Sequence, residues 1–151
     1  MALKPTRRTV YGGDIIQYFM DVVAEAGAVV VHQTSSTGLG GLDDPNSVVT
    51  LPSDSGGVPV GVLMNNVVNL DLTRQHLNEQ KDEVQINGKV AVLQLGEVRT
   101  NLVKTGDVPS PGLAAHYTTD GEFTTGTASV TVGRFVSALD ADGYVAVDVR
   151  L

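Results

Sequence analysis

The chain has 151 residues, a net charge of −7, no cysteine and no tryptophan. Its length predicts one domain with a sizeable core, and the lack of cysteine excludes disulfides, thiolate catalysis and cysteine-ligated zinc. No apolar run reaches the ~18 residues of a membrane-spanning helix and no secretory signal is visible, so we expect no membrane partner and synthesis in a cytosol.

The first 13 residues differ in charge from the rest. They contain Lys4, Arg7 and Arg8 and no acid, which leaves about −10 for the other 138 residues. A body this acidic is a poor binder of nucleic acid, because phosphate contacts need clustered cations. The three cations either dock on an acidic surface or remain solvated.

Backbone-restricting and flexible residues set the first boundary. Pro5 removes a backbone donor and disfavours helix at the residue before it, and Gly12-Gly13 provides a flexible joint. We therefore predict an extended N-terminal arm at residues 1–13 and a β-rich domain at residues 14–151.

Residues 14–31 fit both helix and strand. Asp14 is a suitable N-cap, and the apolar residues after it fit one helical face that ends at Gly27. The same run is β-branched and continues into an apolar segment at 28–31 that is typical of a strand. We predict a short helix or turn followed by a strand at 28–31, with a strand over 14–26 as the alternative.

The middle of the chain alternates between polar and apolar segments. Residues 33–57 are polar except for an apolar patch at 48–51, and we interpret this long segment as an interaction loop. Residues 58–72 are apolar and alternate at positions 58, 60, 62 and 64, which predicts a strand. The polar residues 73–82 fit either one helical turn or a loop.

Two β-hairpins are predicted. The first joins residues 83–86 and 89–95 through Asn87-Gly88, a pair that suits a type I′ turn; residues 97–103 continue as a further strand. The second closes the chain, with a β-prone run at 130–139 and a turn at 140–143. After that turn, side chains alternate strictly, with Val145, Val147, Val149 and Leu151 on one face and Tyr144, Ala146, Asp148 and Arg150 on the other.

These elements favour a mainly β fold. Abundant glycine and sparse charge, at 18% of residues, are typical of short strands joined by turns. We predict a small β-barrel or β-sandwich with at most one or two short helices.

No catalytic or metal-binding set is recognisable. His32, His76 and His116 have no partner at metal-ligand spacing, so we predict a structural role for each. Asp140 and Asp142 fit a hairpin turn better than a calcium loop, and neither a nucleophile elbow nor a P-loop is present. We therefore predict a protein that is not an enzyme and needs no cofactor.

The closing sequence GRFVSALDADGYVAVDV resembles the C-terminal pattern of head decoration, or cement, proteins of tailed bacteriophages. The pattern is a Gly-Arg-hydrophobic start, an Asp-x-Asp-Gly turn and an alternating terminal strand. The similarity extends to ALKPTRR near the start and to residues 57–63, 68–78, 88–101 and 111–125.

The resemblance implies a small β-rich protein, β-tulip-like in shape, on the outer surface of an icosahedral head. Its partners would be the major capsid protein and further copies of itself, as a homotrimer or, less favoured, a dimer. Such proteins stabilise the expanded shell without a cofactor or a reaction. We predict that the capsid and oligomer contacts include Lys4, Pro5, Arg7, Arg8, Val10, Tyr11, Leu39, Leu42, Arg74 and His76.

The alternative is another part of the virion, such as a head–tail adaptor, a fibre-associated module or a host-glycan-binding domain. Loop 33–57 and Tyr117 would then form the contact surface. Glycan sites usually use aromatic platforms, and the 5% aromatic content makes this alternative the weaker one.

Overall fold

The computed structural model describes residues 3, 14–33, 48–69, 73 and 83–151. Within these ranges the chain forms strands and no α-helix, which confirms the predicted mainly β class. None of the described residues belongs to a helix able to cross a bilayer. The strands are β1 (Asp14–Met20), β2 (Val29–His32), β3 (Val48–Thr50), β4 (Pro59–Leu63), β5 (Asn66–Val68), β6 (Glu83–Gln85), β7 (Lys89–Thr100), β8 (Ala114–Tyr117), β9 (Phe123–Thr124), β10 (Gly133–Phe135) and β11 (Val145–Arg150).

Five strands close into a barrel in the order β1-β3-β2-β4-β7, and β7 pairs back with β1. Val92 of β7 lies opposite Ile16 of β1 on one edge and opposite Leu63 of β4 on the other. Closure pairs every strand on both edges, which removes exposed sheet edges from this part of the molecule. The buried residues inside are Met20, Val30, Val49, Val60, Leu63, Val67, Val90 and Val92, here called the barrel core.

Strands β5 and β6 form a separate two-stranded sheet, and β8 to β11 form an outer sheet that starts from the second half of β7. Its strand order is β7-β11-β10-β8-β9. The last strand, β9, lies beside the segment just after β7, where the Phe123 N–H donates to the Leu102 carbonyl (2.8 Å). This sheet covers the outside of β2, β4 and β7. The residues buried between them form the outer core: Val29, Val31, Val62, Leu93, Val98, Ala115, Tyr117, Phe123, Val132, Phe135, Val145, Val147 and Val149.

Strand β7 serves both cores, since Val92 lies in the barrel core and Leu93 in the outer core, and it bends just after them. Its register against β1 shifts between the pairs Asp14–Leu95 and Ile15–Leu93, so Gln94 is an extra residue. Gly96 follows with φ 145°, a value that favours glycine. A bulge increases local bend and twist, and here it turns the strand from the barrel into the outer sheet.

The helix or turn predicted at the start of 14–26 is wrong. Residues from Asp14 to Phe19 pair with β7 in an antiparallel ladder, and the end of β1 pairs with β3. A helix over residues 14–19 could not pair with β7 and would leave that edge of β7 without hydrogen-bond partners. The long-range pairing therefore overrides the local helical pattern. The strand predicted at 28–31 is confirmed as β2, and the patch at 48–51 provides β3.

The alternation predicted at 58–64 is also broken. Val58 is 62% exposed, whereas Val60 and Val62 are buried in different cores. The register of β4 against β2 shifts between the pairs Val30–Gly61 and Val31–Pro59. Val60 is therefore a bulged residue, and the bulge changes which face the later side chains occupy.

The Asn87-Gly88 turn is confirmed, but the type I′ hairpin is wrong. Gly88 N–H donates to the Gln85 carbonyl at 2.8 Å, and only Asn87 has a positive φ, 66°. A type I′ turn needs positive φ at both central residues, whereas a type II turn needs it at the second alone. Strand β6 then pairs in parallel with β5.

The closing hairpin is confirmed, with a first strand shorter than predicted. Strand β10 pairs with β11 through Phe135 opposite Val147. In the turn, Asp140 Oδ1 accepts the N–H groups of Asp142 (3.0 Å) and Tyr144 (2.8 Å), and Gly143 has φ 79°. This aspartate turn fixes the hairpin register, as expected for Asp and Gly in tight turns.

Candidate binding surface

The ten predicted contact residues, from Lys4 to His76, lie outside the described residues, and their roles stay predictions. Most of the predicted arm also lies outside them, with Leu3 as the exception. Leu3 forms an antiparallel bridge with Thr100 and packs, partly buried, against the outer core. One point of the N-terminal segment is therefore in contact with the body.

The described histidines are packing residues. His116 is buried, and its Nδ1 lies 2.7 Å from the Ser129 carbonyl; because a carbonyl only accepts, Nδ1 donates. The His32 ring packs edge-on against Tyr18, with centroids 5.9 Å apart. Within the described ranges, no group of three or more His, Asp or Glu side chains could hold a metal ion. His76 lies outside these ranges.

Two well-placed carboxylates hold turns. Asp140 Oδ2 bonds to Arg99 at 3.1 Å while Oδ1 accepts the turn amides. Asp107 Oδ2 accepts the Thr124 hydroxyl and the Thr125 N–H, and the Thr124 bond is the main cause that lowers the Asp107 pKa. Hydrogen bonds to the ionised form have this effect. Both carboxylates are suited to fixing the backbone of their turns.

A hollow of about 370 Å³ lies beside β2 and β3. It is lined by Val31, His32, Gln33, Thr50, Leu51, Ser53, Asp54, Gly56, Gly57 and Val58. The Tyr117 hydroxyl, from the outer core, donates to the Gly57 carbonyl at 2.6 Å. This bond ties the segment after β3 to the outer sheet.

The alternative function required Tyr117 in a contact surface, and the structure contradicts this. Tyr117 is 2% exposed and belongs to the outer core. Burial and the nearby charge of Asp54 raise its pKa above 10.0. The side chain is thus a buried donor and not a platform for a ligand.

Tyr117→Phe should lower the free energy of unfolding by about 1 kcal/mol, since the Gly57 carbonyl loses its donor. The raised pKa means that the fold favours the neutral phenol. The stabilisation that the neutral Tyr117 phenol provides is present below pH 10 and is lost as the pH rises through the folded-state pKa. Denaturant titrations at neutral and alkaline pH should show the two proteins converging at alkaline pH; a constant difference would contradict this account.

A second groove, of about 450 Å³, lies on β10 and β11. Thr131, Gly133, Arg134, Asp148 and Arg150 line it. Sequence reasoning placed Asp148 and Arg150 on the polar face of the last strand but did not single out Arg134. The sequence of the hairpin could have indicated Arg134, because the register that follows from the turn places Arg134 opposite Asp148.

Large apolar side chains are exposed on β1. Ile15 is 56% exposed and Ile16 is also exposed. Phe19, on the same strand, is half-buried and lies under the Lys89 ammonium at 5.7 Å from the ring centroid. Strand β1 directly follows the predicted arm, so this apolar stretch continues from the basic segment along the chain. Successive residues of a strand point to opposite faces, so Ile15 and Phe19 share the outer face of β1 while Ile16 lies on the other face. Exposed apolar side chains on an outer face are typical of an interaction surface.

Comparison with known proteins identifies the family. A search of curated proteins finds no match. The family model described as structural cement protein (E217 gp24/Pam3 gp6) matches residues 7–150, nearly the whole chain. The resemblance seen in the sequence is therefore confirmed, and the chain belongs to the structural cement protein family of phages.

Proposed function

We propose that this protein binds the outer surface of the assembled phage head at the joints between neighbouring major capsid proteins, where it stabilises the expanded shell. The family match over residues 7–150 carries this proposal. The protein is made in the host cytoplasm and acts by contact alone, with no reaction and no cofactor.

The fold supports this function because it is a stiff body. The barrel core and the outer core share β7, so surface side chains are held in fixed relative positions. Interiors packed in this way transmit strain and deform little. A body of this kind is suited to keeping two capsid subunits at one distance from each other.

The apolar stretch on β1 supports a contact surface next to the arm. Ile15 and Phe19 provide apolar area on the outer face of β1, and Lys4, Arg7 and Arg8 precede them with positive charge. Burial of apolar area stabilises association by about 25 cal/mol per Å² before the costs of ordering. On a repeated lattice, many such modest contacts add through multivalency. A homotrimer, or else a dimer, would engage several capsid proteins at once.

The test is binding of purified protein to heads that lack it. Expanded heads should bind it saturably and then release their DNA at a higher temperature, whereas unexpanded shells should bind it less. Replacing Lys4, Arg7 and Arg8 by alanine should weaken the binding, and this variant keeps the Leu3 contact to the body. Expanded heads that neither bind the protein nor gain heat resistance would refute the proposal.

A further inference from the structure

The groove on β10 and β11 holds a guanidinium that no described residue of the chain neutralises. Arg150 donates from Nε and lies within 2.8 Å of Asp148 through both Nε and Nη2. Arg134 lies opposite the same aspartate and is exposed, and its side chain forms no hydrogen bond or ion pair within the described part of the chain. Asp148 is therefore already engaged by Arg150, and Arg134 remains available.

Gly133, in the lining of the groove, has no room for a side chain. A Cβ at Gly133 would lie 2.1 Å from the Asp148 carbonyl oxygen and 3.0 Å from the Asp148 carbonyl carbon. Only glycine allows β10 and β11 to approach this closely. Arg134 and Arg150 then flank an open space that a short side chain can enter.

The same chain presents a matching pair of carboxylates. Asp120 is exposed and Glu122 is half-buried, in a tight turn between β8 and β9. The turn is fixed by the Thr118 N–H, which donates to the Glu122 carbonyl at 2.9 Å, and by Gly121, which has φ 78°. Neither carboxylate is engaged by another group in the described ranges.

These two features do not meet within one copy. Arg134 lies opposite Ala114 at the start of β8, whereas the acidic turn follows the end of β8 at Tyr117. Ala114 and Tyr117 are three steps of strand apart, roughly 10 Å at ~3.3 Å per residue. Within the described ranges the side chains of Arg134, Asp120 and Glu122 form no bond with one another, so each is available to a second molecule.

We propose that Arg134 binds the acidic turn, Asp120 and Glu122, of a second copy of this chain. Guanidinium and carboxylate groups form paired, charge-assisted hydrogen bonds, and the groove is a local cationic site on an otherwise acidic protein. The contact joins two different surfaces, so it can form twice in a twofold dimer or repeat around an axis to close a ring such as a trimer. The inference rests on the proposed function only in assuming that the cement protein self-associates.

The experiment measures the molecular mass of the purified full-length chain by sedimentation equilibrium. Arg134→Glu and Asp120→Arg should each weaken self-association at least tenfold, because each places like charges across the contact. The double variant, Arg134→Glu with Asp120→Arg, should recover at least part of the loss, since the charges are exchanged. Lys89→Glu is the matched control, because this exposed cation lies at the start of β7, opposite Phe19 of β1, and is in neither the groove nor the acidic turn; it should associate as the wild type does.

Several outcomes would overturn the inference. A monomeric wild-type chain would do so, as would single variants that associate normally or a double variant no better than either single one. If Arg134→Glu reduced binding to heads while leaving self-association intact, the occupant would be the capsid protein and not a second copy. Arg134→Gln guards against misfolding, and normal unfolding curves confirm that each variant is folded.

Failure of this inference and failure of the proposed function give different results. Wild-type protein that associates through Arg134 but does not bind heads would contradict the proposed function alone. Protein that binds and stabilises heads while the Arg134 and Asp120 variants associate normally would contradict this contact alone.

Discussion

Gly61→Ala should be among the most destabilising single-methyl changes in the molecule. A Cβ at this position would lie 2.3 Å from the Leu93 carbonyl oxygen and 2.6 Å from Val92 Cγ1. The nearest atom is backbone, so no side-chain rotation relieves the clash. Strand β4 would have to move away from β7, where the barrel closes. Overpacking of this kind costs about 3 kcal/mol or more when the backbone must shift.

Urea titration of the wild type and the variant measures this effect. Gly56→Ala is the matched control, since its new Cβ would make only an ordinary contact, 3.5 Å from the Asp54 carboxylate. That control should change the free energy of unfolding by at most about 1 kcal/mol. This range includes the gain in stability that alanine brings by making the unfolded chain less flexible. Equal stability of both variants would show that β4 and β7 do not approach as closely as described.

Phe123→Ala should remove about 3–5 kcal/mol of stability, the usual range for a fully buried phenylalanine. The side chain is 0% exposed in the outer core, and its ring packs edge-on against Phe135 at 6.4 Å. Its backbone also connects β9 to the segment after β7. The substitution therefore opens a cavity at the place where the outer sheet returns to β7.

Phe19→Ala is the control for this substitution. Phe19 lies half-buried on the outside of β1, with one face toward Lys89, so its loss should cost less than about 2 kcal/mol. Both variants should unfold in one transition, because the outer core includes Val29 and Val62 from barrel strands. A separate early transition in the Phe123 variant would show that the outer sheet unfolds independently.

Local patterns predicted the closing hairpin well. Its alternation and its Asp140–Gly143 turn act between neighbours in sequence, so they are visible without the rest of the fold. The family resemblance started from the same stretch and extended to others along the chain, and the family match over residues 7–150 confirms it.

Long-range pairing explains the elements that sequence analysis missed. Strand β1 has an apolar pattern that also suits a helix, and its pairing with β7 joins residues 70 or more positions apart. The bulge at Val60 depends on the register of β2. Strand β6 has a suitable turn for a hairpin, yet it pairs in parallel with β5. None of these choices is specified by the residues of the element alone.

The binding surface was predictable only in part. The sequence shows the basic arm and the apolar start of β1, but the groove needs the close approach of β10 and β11 that Gly133 permits. Arg134 became a candidate because the register places it opposite Asp148, an aspartate that Arg150 already bonds. The charge match with the turn at Asp120 likewise needs both loops in place.

The central claim is that this protein stabilises the expanded phage head by contact from the outside. A cryo-electron microscopy reconstruction of the virion tests it most directly, with heads that lack the protein as the reference. We expect added density of this β-barrel on the outer surface, over joints between major capsid proteins. Density inside the shell or on the tail, or no difference between the two heads, would contradict the claim.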